Sequence, residues 1–327
     1  MENKITTICG SPKDLNTWIY KLDSPGVFVH EMKIESAGSA MKKTEIVQIT
    51  DVHLNAVNSD DENDEEVMYT KQCRHWNENG ESIDTLKKAM EYANKYDCTV
   101  ITGDTMDYLS HGAMELMQKH IWDVDENCIV SLGGHDITKQ METGMPDKLP
   151  LEERMAIAEA FWKHDMYYFS KVINEHVMVI QMDNGCHKYW ESQIPKLQKD
   201  IQTARENGYT ILIFQHEPIC TGKSEDAACE SYYVWDNCLP VRNFYDKCIG
   251  YEQNSDEVTM EVYKLITQNA DVVRGVFCGH YHTCFHTEIK GSYTDKEGKV
   301  HFKNIPQHML ECNVYSGLGH VLKIEVI

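Results

Sequence analysis

The chain has 327 residues, of which 42% are apolar and 25% are charged, and its formal net charge is −21 at pH 7. This composition is typical of a folded protein with a sizeable core, not of a disordered or low-complexity chain. The negative charge repels polyanions, which argues against a protein that binds long nucleic acid through a basic groove. A small anionic ligand is still compatible with this charge, because bound cations reverse the local field.

The sequence carries no signal for export or membrane insertion. No apolar run reaches the roughly 18 residues of a membrane span, and residues 1–10 lack the basic and then apolar pattern of a signal peptide. We therefore expect a cytoplasmic protein. The 12 cysteines include no Cys-x-x-Cys pair, so we expect free thiols; the alternative is a disulfide or metal knot of Cys220, Cys229, Cys238 and Cys248.

Helix-like and strand-like segments alternate along most of the chain. Val27–Ile34 alternates apolar with polar residues and is expected to pair with the next strand. The acidic segment 60–66 is interpreted as a solvated loop. Apolar residues three and four apart then predict a helix over residues 83–93 with Ser82 as its cap, and Cys98–Thr102 follows as a strand.

The second half of the chain repeats this alternation, as expected of an α/β fold with layered, buried strands. We predict one domain over residues 1–327, with an N-terminal strand extension over residues 1–44 and an insertion near residues 217–255. The predicted elements of this half are a helix over residues 194–204 that stops at Gly208, a strand over Thr210–Phe214, a helix over residues 258–269, a strand over residues 272–278 and closing strands over residues 314–327.

Side chains that can bind a metal or carry a proton follow five of the predicted strands. Each motif alone occurs by chance in many chains, but ligand sites of α/β sheets lie at the carboxyl ends of strands, so the combination is informative. In chain order the motifs are Asp51-x-His53, Gly103-Asp104-x-x-Asp107, Gly133-x-His135-Asp136, His216 and Gly279-His280-x-His282.

This series of motifs resembles that of the calcineurin-like metallophosphoesterase family, over about residues 45–284. The resemblance implies two mixed β-sheets packed face to face in a sandwich flanked by helices. It also implies a centre with two divalent or trivalent metal ions, and its carboxylates and imidazoles suit manganese, iron or zinc. By this resemblance Asp51, His53 and His282 would hold the first ion, and Asp104 would bridge to a second ion held by His216 and His280.

The reaction that the resemblance implies is hydrolysis of a small phosphoester. Two metal ions lower the pKa of a bound water from near 16 to about 7 and hold the phosphoryl oxygens for in-line displacement. His135 would protonate the leaving oxygen without binding metal, and Asp136 would hold its other ring nitrogen. Asp107 would orient a ligand, or alternatively cap a helix.

One position departs from the family. The third motif there is Gly-Asn-His, whose Asn binds the second metal and touches the phosphate, whereas Gly134 offers no ligand. We therefore expect weaker or incomplete occupancy of the second metal position. Asn55 and Asn184 are candidate replacements, although both also suit turns.

Candidate substrate contacts lie outside the motifs. The insertion over residues 217–255 is predicted to form a lid that carries Tyr232, Trp235 and Arg242, and its aromatic rings would either stack on a nucleobase or pack a small subdomain. Arg74, between the first two motifs, is a candidate phosphate contact.

The motifs also allow two interpretations other than a hydrolase. Gly134 supports the first alternative, a member of the family that has lost activity and serves as a metal-binding scaffold or interaction module, whereas the presence of His135 and of the other ligands argues against it. His135-Asp136 also matches the doublet of all-helical metal phosphohydrolases, but residues 129–132 have a strand pattern, which disfavours that fold. Monoesterases and diesterases share the motifs, so the predicted substrate is a small phosphoester of either kind.

Overall fold

A computed structural model describes ten segments of the chain. The predicted lid residues Tyr232, Trp235 and Arg242 and the four cysteines of the suggested knot lie outside these segments. None of the seven cysteines inside them forms a disulfide, as expected. The described residues are 4–6, 19–24, 26–38, 42–74, 81–140, 146–186, 188–219, 256–282, 284–313 and 317–327.

Most strands are rich in β-branched and other apolar residues, which suits burial inside a layered fold. Numbered in chain order, the strands of the described segments are β1 (Lys4–Thr6), β2 (Ile19–Ser24), β3 (Val27–Ile34), β4 (Thr44–Ile49), β5 (Cys98–Thr102), β6 (Ile129–Ser131), β7 (Tyr168–Ile173), β8 (Val177–Met182), β9 (Thr210–Phe214), β10 (Val273–Cys278), β11 (Phe285–Ile289), β12 (Ser292–Thr294), β13 (Val300–Phe302), β14 (Ile305–Met309) and β15 (Gly319–Val326).

The helices begin and end where local chemistry dictates. The side chains of Asp64, Ser110 and Asp256 accept backbone N–H bonds at three N-termini, and Gly208 ends one helix with φ +71°. None of the described helices has both the length and the apolar character needed to cross a membrane. The α-helices of the described segments are α1 (Glu65–Cys73), α2 (Glu81–Ala93), α3 (His111–Met117), α4 (Leu151–Glu159), α5 (Gln193–Asn207) and α6 (Glu257–Thr267).

The strands form two large mixed sheets and a small hairpin of β12 and β13. The seven-stranded sheet has the order β1-β2-β3-β15-β4-β5-β6, and the six-stranded sheet has the order β11-β14-β10-β9-β8-β7. The predicted pairing of β3 with the next strand is wrong, because β15 lies between them, parallel to β3 and antiparallel to β4. An apolar strand pattern shows that a strand is buried but does not show which neighbour it has.

The two sheets pack face to face around an apolar layer. Met32 and Leu322 of the first sheet belong to the same buried cluster as Leu212, Phe214 and Phe277 of the second. The outer face of the first sheet packs against α2 and α3, and that of the second packs against α5 and α6. The predicted sandwich of two mixed sheets flanked by helices is therefore confirmed.

One local prediction was wrong and another holds only in part. Ser82 lies inside the first turn of α2 and does not precede it. The acidic segment 60–66 begins as a turn with mostly exposed side chains, as predicted for a solvated loop. Asp61 is the exception: both of its carboxylate oxygens accept backbone N–H bonds, from His111 and Gly112, at the start of α3. An acidic run therefore supplies a cap for a helix 50 residues further along the chain.

Truncating the phenylalanine pair between the sheets should destabilise the whole fold. The rings of Phe214 and Phe277 stack with centroids 5.0 Å apart, and both are fully buried. Phe277→Ala should lower the free energy of unfolding by about 3–5 kcal/mol, through lost burial and the cavity that remains. Urea unfolding followed by circular dichroism measures this, with Phe302→Ala, whose side chain is 87% exposed, as the matched control with little effect.

Candidate metal centre

The motifs predicted from the sequence meet at one edge of the sandwich. In the first sheet β4, β5 and β6 are parallel neighbours, and in the second β9 and β10 are parallel neighbours, so their carboxyl ends face the same way within each sheet. The segments that follow these five strands carry Asp51, His53, Asp104, His135, His216, His280 and His282.

The first group of potential ligands is Asp51, His53, Asp104 and His282. One ligand atom from each of these side chains lies within 4.8 Å of the others. Nε2 of His53 is 3.1 Å from Nε2 of His282, and the latter atom is 3.1 Å from Oδ1 of Asp51. Donor atoms at such distances from one another are placed as they would be around a shared cation.

The second group shares Asp104 with the first. Asp104, His216 and His280 offer ligand atoms within 4.8 Å of one another. Nε2 of His216 lies 3.2 Å from Oδ2 of Asp104 and 3.2 Å from Nδ1 of His280. The structure thus brings together both ligand sets that the resemblance implied, with Asp104 between them.

Outer hydrogen-bond partners fix the orientation of two imidazoles. Nδ1–H of His216 donates to the backbone carbonyl of Thr102 at 2.9 Å, and Nδ1 of His53 lies 3.3 Å from Oδ1 of Asp107. With the proton held on Nδ1 in each ring, the lone pair of Nε2 points into the group. This arrangement is typical of histidines that bind metals.

The backbone at the centre adopts conformations that non-glycine residues usually avoid. Five of the seven non-glycine residues with positive φ among those described belong to the two ligand groups. Each left-handed residue costs about 1 kcal/mol or more, so the concentration of strain here points to function. These residues and their φ angles are Asp51 (48°), His53 (50°), Asp104 (46°), His280 (73°) and His282 (52°).

Glycines beside the ligands allow this close approach. A Cβ at Gly279 would lie 1.9 Å from Oγ1 of Thr50, and one at Gly133 would lie 2.2 Å from Oδ1 of Asp104. Any larger residue at these positions would displace a ligand or its support. The glycines of the motifs are therefore required by packing around the carboxylates.

The electrostatics of the centre favour a positive charge. Burial alone would lower the pKa of His216, but the carboxylates of Asp104 and Asp51 raise it to about 10. Burial would likewise raise the pKa of Asp51, yet the imidazoles of His282 and His216 lower it below its ordinary value. The negative field of the carboxylates that draws a proton onto His216 also attracts a divalent cation, which would take the place of that proton.

His135 lies beside the ligand groups, with its side chain partly exposed. Its Nδ1–H donates to the backbone carbonyl of Asp107 at 2.8 Å, and its Nε2 is 3.9 Å from Oδ2 of Asp104. Burial lowers the pKa of His135, but the carboxylates of Asp104 and Asp107 outweigh this effect and raise it. The Nε2 atom of His135 thus lies at the edge of the centre.

Asp136 does not hold the other nitrogen of His135, so this prediction was wrong. Its two carboxylate oxygens accept backbone N–H bonds from Met106 and Gly133, at 2.7 and 2.8 Å. Asp136 thereby ties the loop after β6 to the loop after β5. Sequence adjacency suggested the role, but the turn at His135–Ile137 directs the two side chains apart.

Asp107 orients other residues and caps no helix. Arg74 donates two hydrogen bonds to its carboxylate, from Nε at 2.7 Å and from Nη2 at 2.5 Å, and His53 contacts the same group. Arg74 is buried in this contact. The structure thus gives Arg74 a partner behind the ligands, and its predicted contact with a phosphate stays a prediction.

Neither candidate replacement for the family's Asn is directed at the second group. The side chain of Asn184 accepts the backbone N–H groups of His216 and Glu217, and Asn55 donates to Asp107. Both amides thus have structural roles. An ideal Cβ at Gly134 would have only the carbonyl oxygen of Gly185 nearby, at 3.3 Å, so this position has room for a side chain.

A cavity of about 610 Å³ opens on the centre. His135, His280 and His282 line it together with Gly134, and Arg154 lies on its wall. Sequence reasoning missed Arg154, because it lies in α4, away from every motif. Its Nη1 is 2.9 Å from Oδ2 of Asp147, so its charge is partly balanced by a neighbour.

No family model and no curated protein matches this chain. Among solved structures it is similar to a dimetal phosphatase from Danio rerio, with 12% identity over 83% of this chain and 88% of that one and a TM-score of 0.44. A purple acid phosphatase from yellow lupin (Lupinus luteus) matches with 11% identity, 99% and 56% coverage and a TM-score of 0.44. A putative 5'-nucleotidase from Staphylococcus aureus matches with 11% identity, 82% and 54% coverage and a TM-score of 0.36.

The chain spans only slightly more than half the length of the lupin and staphylococcal proteins. Because the identities are 12% or less and the TM-scores lie below 0.5, these similarities do not extend to activity. Only the side chains of the centre bear on the function of this chain.

Replacing Asp107 by Asn should weaken metal binding without altering a ligand. The substitution keeps the shape of the side chain but removes the charge that holds Arg74 and His53, and loss of such an outer partner costs about 10–100-fold in metal affinity. Calorimetric titration of the metal-free protein with Mn²⁺ measures this change. Asp84→Asn, on the exposed face of α2, is the matched control; equal affinities for both variants would contradict the role of Asp107.

Proposed function

We propose that this protein is a metal-dependent phosphoester hydrolase that acts on a small phosphorylated substrate. The observation that supports it most is the pairing of two ligand groups through Asp104, next to an imidazole that binds neither group and faces an open cavity. Each ligand group alone could serve to stabilise the fold. Two adjoining cation sites with a separate proton donor are the combination that hydrolysis of a phosphoester requires.

The residues present fit a pair of metal ions. Asp51, His53 and His282 would hold one ion, His216 and His280 the other, and Asp104 would contact both. These are oxygen and nitrogen donors without a thiolate, which suits manganese, iron or zinc. When bound, such ions supply Lewis acidity, positive charge for the phosphoryl oxygens and a water of lowered pKa.

His135 is proposed as the general acid. Its Nδ1–H is committed to the carbonyl of Asp107, which leaves Nε2–H as the proton that faces the cavity. This proton would pass to the leaving oxygen as the phosphorus–oxygen bond breaks, so that an alcohol and not an alkoxide departs. Asp107 and Arg74 would keep the ring of His135 and the ligand His53 in place during this step.

Losing His135 should slow hydrolysis most for substrates with poor leaving groups. A p-nitrophenolate leaves without protonation, whereas an alkoxide needs a proton, so His135→Ala should reduce turnover of an alkyl phosphodiester by about 10²–10⁴-fold and that of bis(p-nitrophenyl) phosphate far less. Steady-state rates with added Mn²⁺ measure both, and metal content should be unchanged. The control is His301→Ala, in the β12–β13 hairpin. Equal losses on both substrates would indicate that His135 only positions groups.

Gly134→Asn should strengthen binding at the second group. The new amide would restore the ligand found in the family motif, and the position has room for it. We expect the second Mn²⁺ equivalent to bind about tenfold tighter or more, by comparison with the 10–100-fold cost of losing an outer partner. Calorimetry resolves the two equivalents. Gly298→Asn, in an exposed turn with φ +82°, is the control, since Asn tolerates that conformation.

Gly134 also supports a second candidate function, a metal-binding scaffold without activity. In that case hydrolysis would be absent for every monoester and diester tested, even with both ligand groups loaded with metal. The Gly134→Asn variant separates the two candidates. If it gains activity that the natural chain lacks, the natural chain is the scaffold.

A further inference from the structure

A second set of metal-capable side chains lies between the two sheets, outside the centre described above. His30 in β3, Cys284 immediately before β11 and His308 in β14 are all buried, and their ligand atoms lie within 4.8 Å of one another. Sγ of Cys284 is 3.3 Å from Nε2 and 3.4 Å from Nδ1 of His30.

This cluster interrupts an otherwise apolar layer. His30 shares its face of β3 with Met32 and Ile34, which belong to the core between the sheets. His308 is aligned with the buried Phe277 of that core across the parallel pair of β14 and β10. The three side chains therefore join the first sheet to the second.

Two further imidazoles lie next to the cluster. His286 is directly opposite His308 in the antiparallel pair of β11 and β14. The ring centroid of His320 in β15 lies 6.0 Å from that of His30. Four imidazoles and a thiol thus meet in one interior layer, where polar groups are costly unless they are paired or bind a metal.

Burial favours the neutral form, which binds metals, of three of these imidazoles. Burial and the neighbouring His308 and His320 hold the pKa of His30 well below its ordinary value. Burial and His286 lower the pKa of His308 to about 3, and burial lowers that of His320 to about 4. Near neutral pH these three rings therefore present nitrogen lone pairs to a metal ion.

We propose that His30, Cys284 and His308 bind one zinc-class ion that ties the two sheets together. One thiolate and two imidazoles are donors that zinc accepts in structural sites. His286 and His320 lie beside these three ligands. Binding would convert the thiol of Cys284 to a thiolate and release its proton to solvent. The site shares no residue with the ligand sets of the proposed hydrolytic centre, which are all oxygen or nitrogen donors.

X-ray absorption at the zinc edge tests this site on the full chain. Protein loaded with zinc and freed of excess by gel filtration should show a sulfur shell at about 2.3 Å, the distance of a zinc–thiolate bond. The shell should disappear in Cys284→Ser, with the loss of one zinc per chain, and should weaken in His308→Gln. It should persist in Cys312→Ser, the matched control, whose buried thiol lies within 4.8 Å of ligand atoms of His53 and His282.

Two results would overturn the proposal. One is a zinc-loaded natural chain with no sulfur shell, which needs no variant and so stands even if Cys284→Ser fails to fold. The other is loss of the sulfur shell in Cys312→Ser but not in Cys284→Ser. The sulfur ligand would then be Cys312, bound to zinc at the hydrolytic centre. Neither result depends on whether the protein hydrolyses phosphoesters.

Discussion

Two carboxylates, Asp51 and Asp104, are buried where the two sheets meet, and imidazoles and a hydroxyl group around them compensate for the loss of water. A buried carboxylate is costly unless positive charge or hydrogen bonds surround it. Here the imidazole of His216 contacts Asp104, and Thr50 donates to Asp51 at 2.7 Å. The glycines and left-handed residues after β4, β5 and β10 bring these groups within reach of one another. The backbone strain at the centre therefore results from placing buried carboxylates next to imidazoles.

The buried strands of the two sheets set the positions of the loops that carry the ligands. The strands that end at the centre are almost fully buried, and Phe214 and Phe277 of the second sheet pack in the same buried cluster as Met32 and Leu322 of the first. Loops whose ends are held this firmly can hold side chains in unfavourable conformations. The contact of Arg74 with Asp107 extends this support behind the ligands, away from the cavity.

The alternation of helical and apolar strand patterns was sufficient to predict a layered α/β fold with polar motifs at its strand ends. The two-sheet sandwich and the two ligand sets came from the family resemblance of those motifs. The sequence was insufficient where partners are distant along the chain. No local sequence pattern predicts three of the observed features: the pairing of β15 with β3 and β4, the backbone contacts of Asp136, and the position of Arg154 on the cavity wall. The cluster of His30, Cys284 and His308 is a further example, since its members come from three elements with no regular spacing.

The position of β15 also constrains the order in which the molecule assembles. Residues 319–326 separate residues 27–34 from residues 44–49 within one sheet. During synthesis, the early strands therefore have an open edge until nearly three hundred further residues have left the ribosome. The backbone N–H of Asn313, just before that last strand, donates to the carbonyl of Asp51. The first ligand of the centre thus reaches its final surroundings only when the closing segment of the chain arrives.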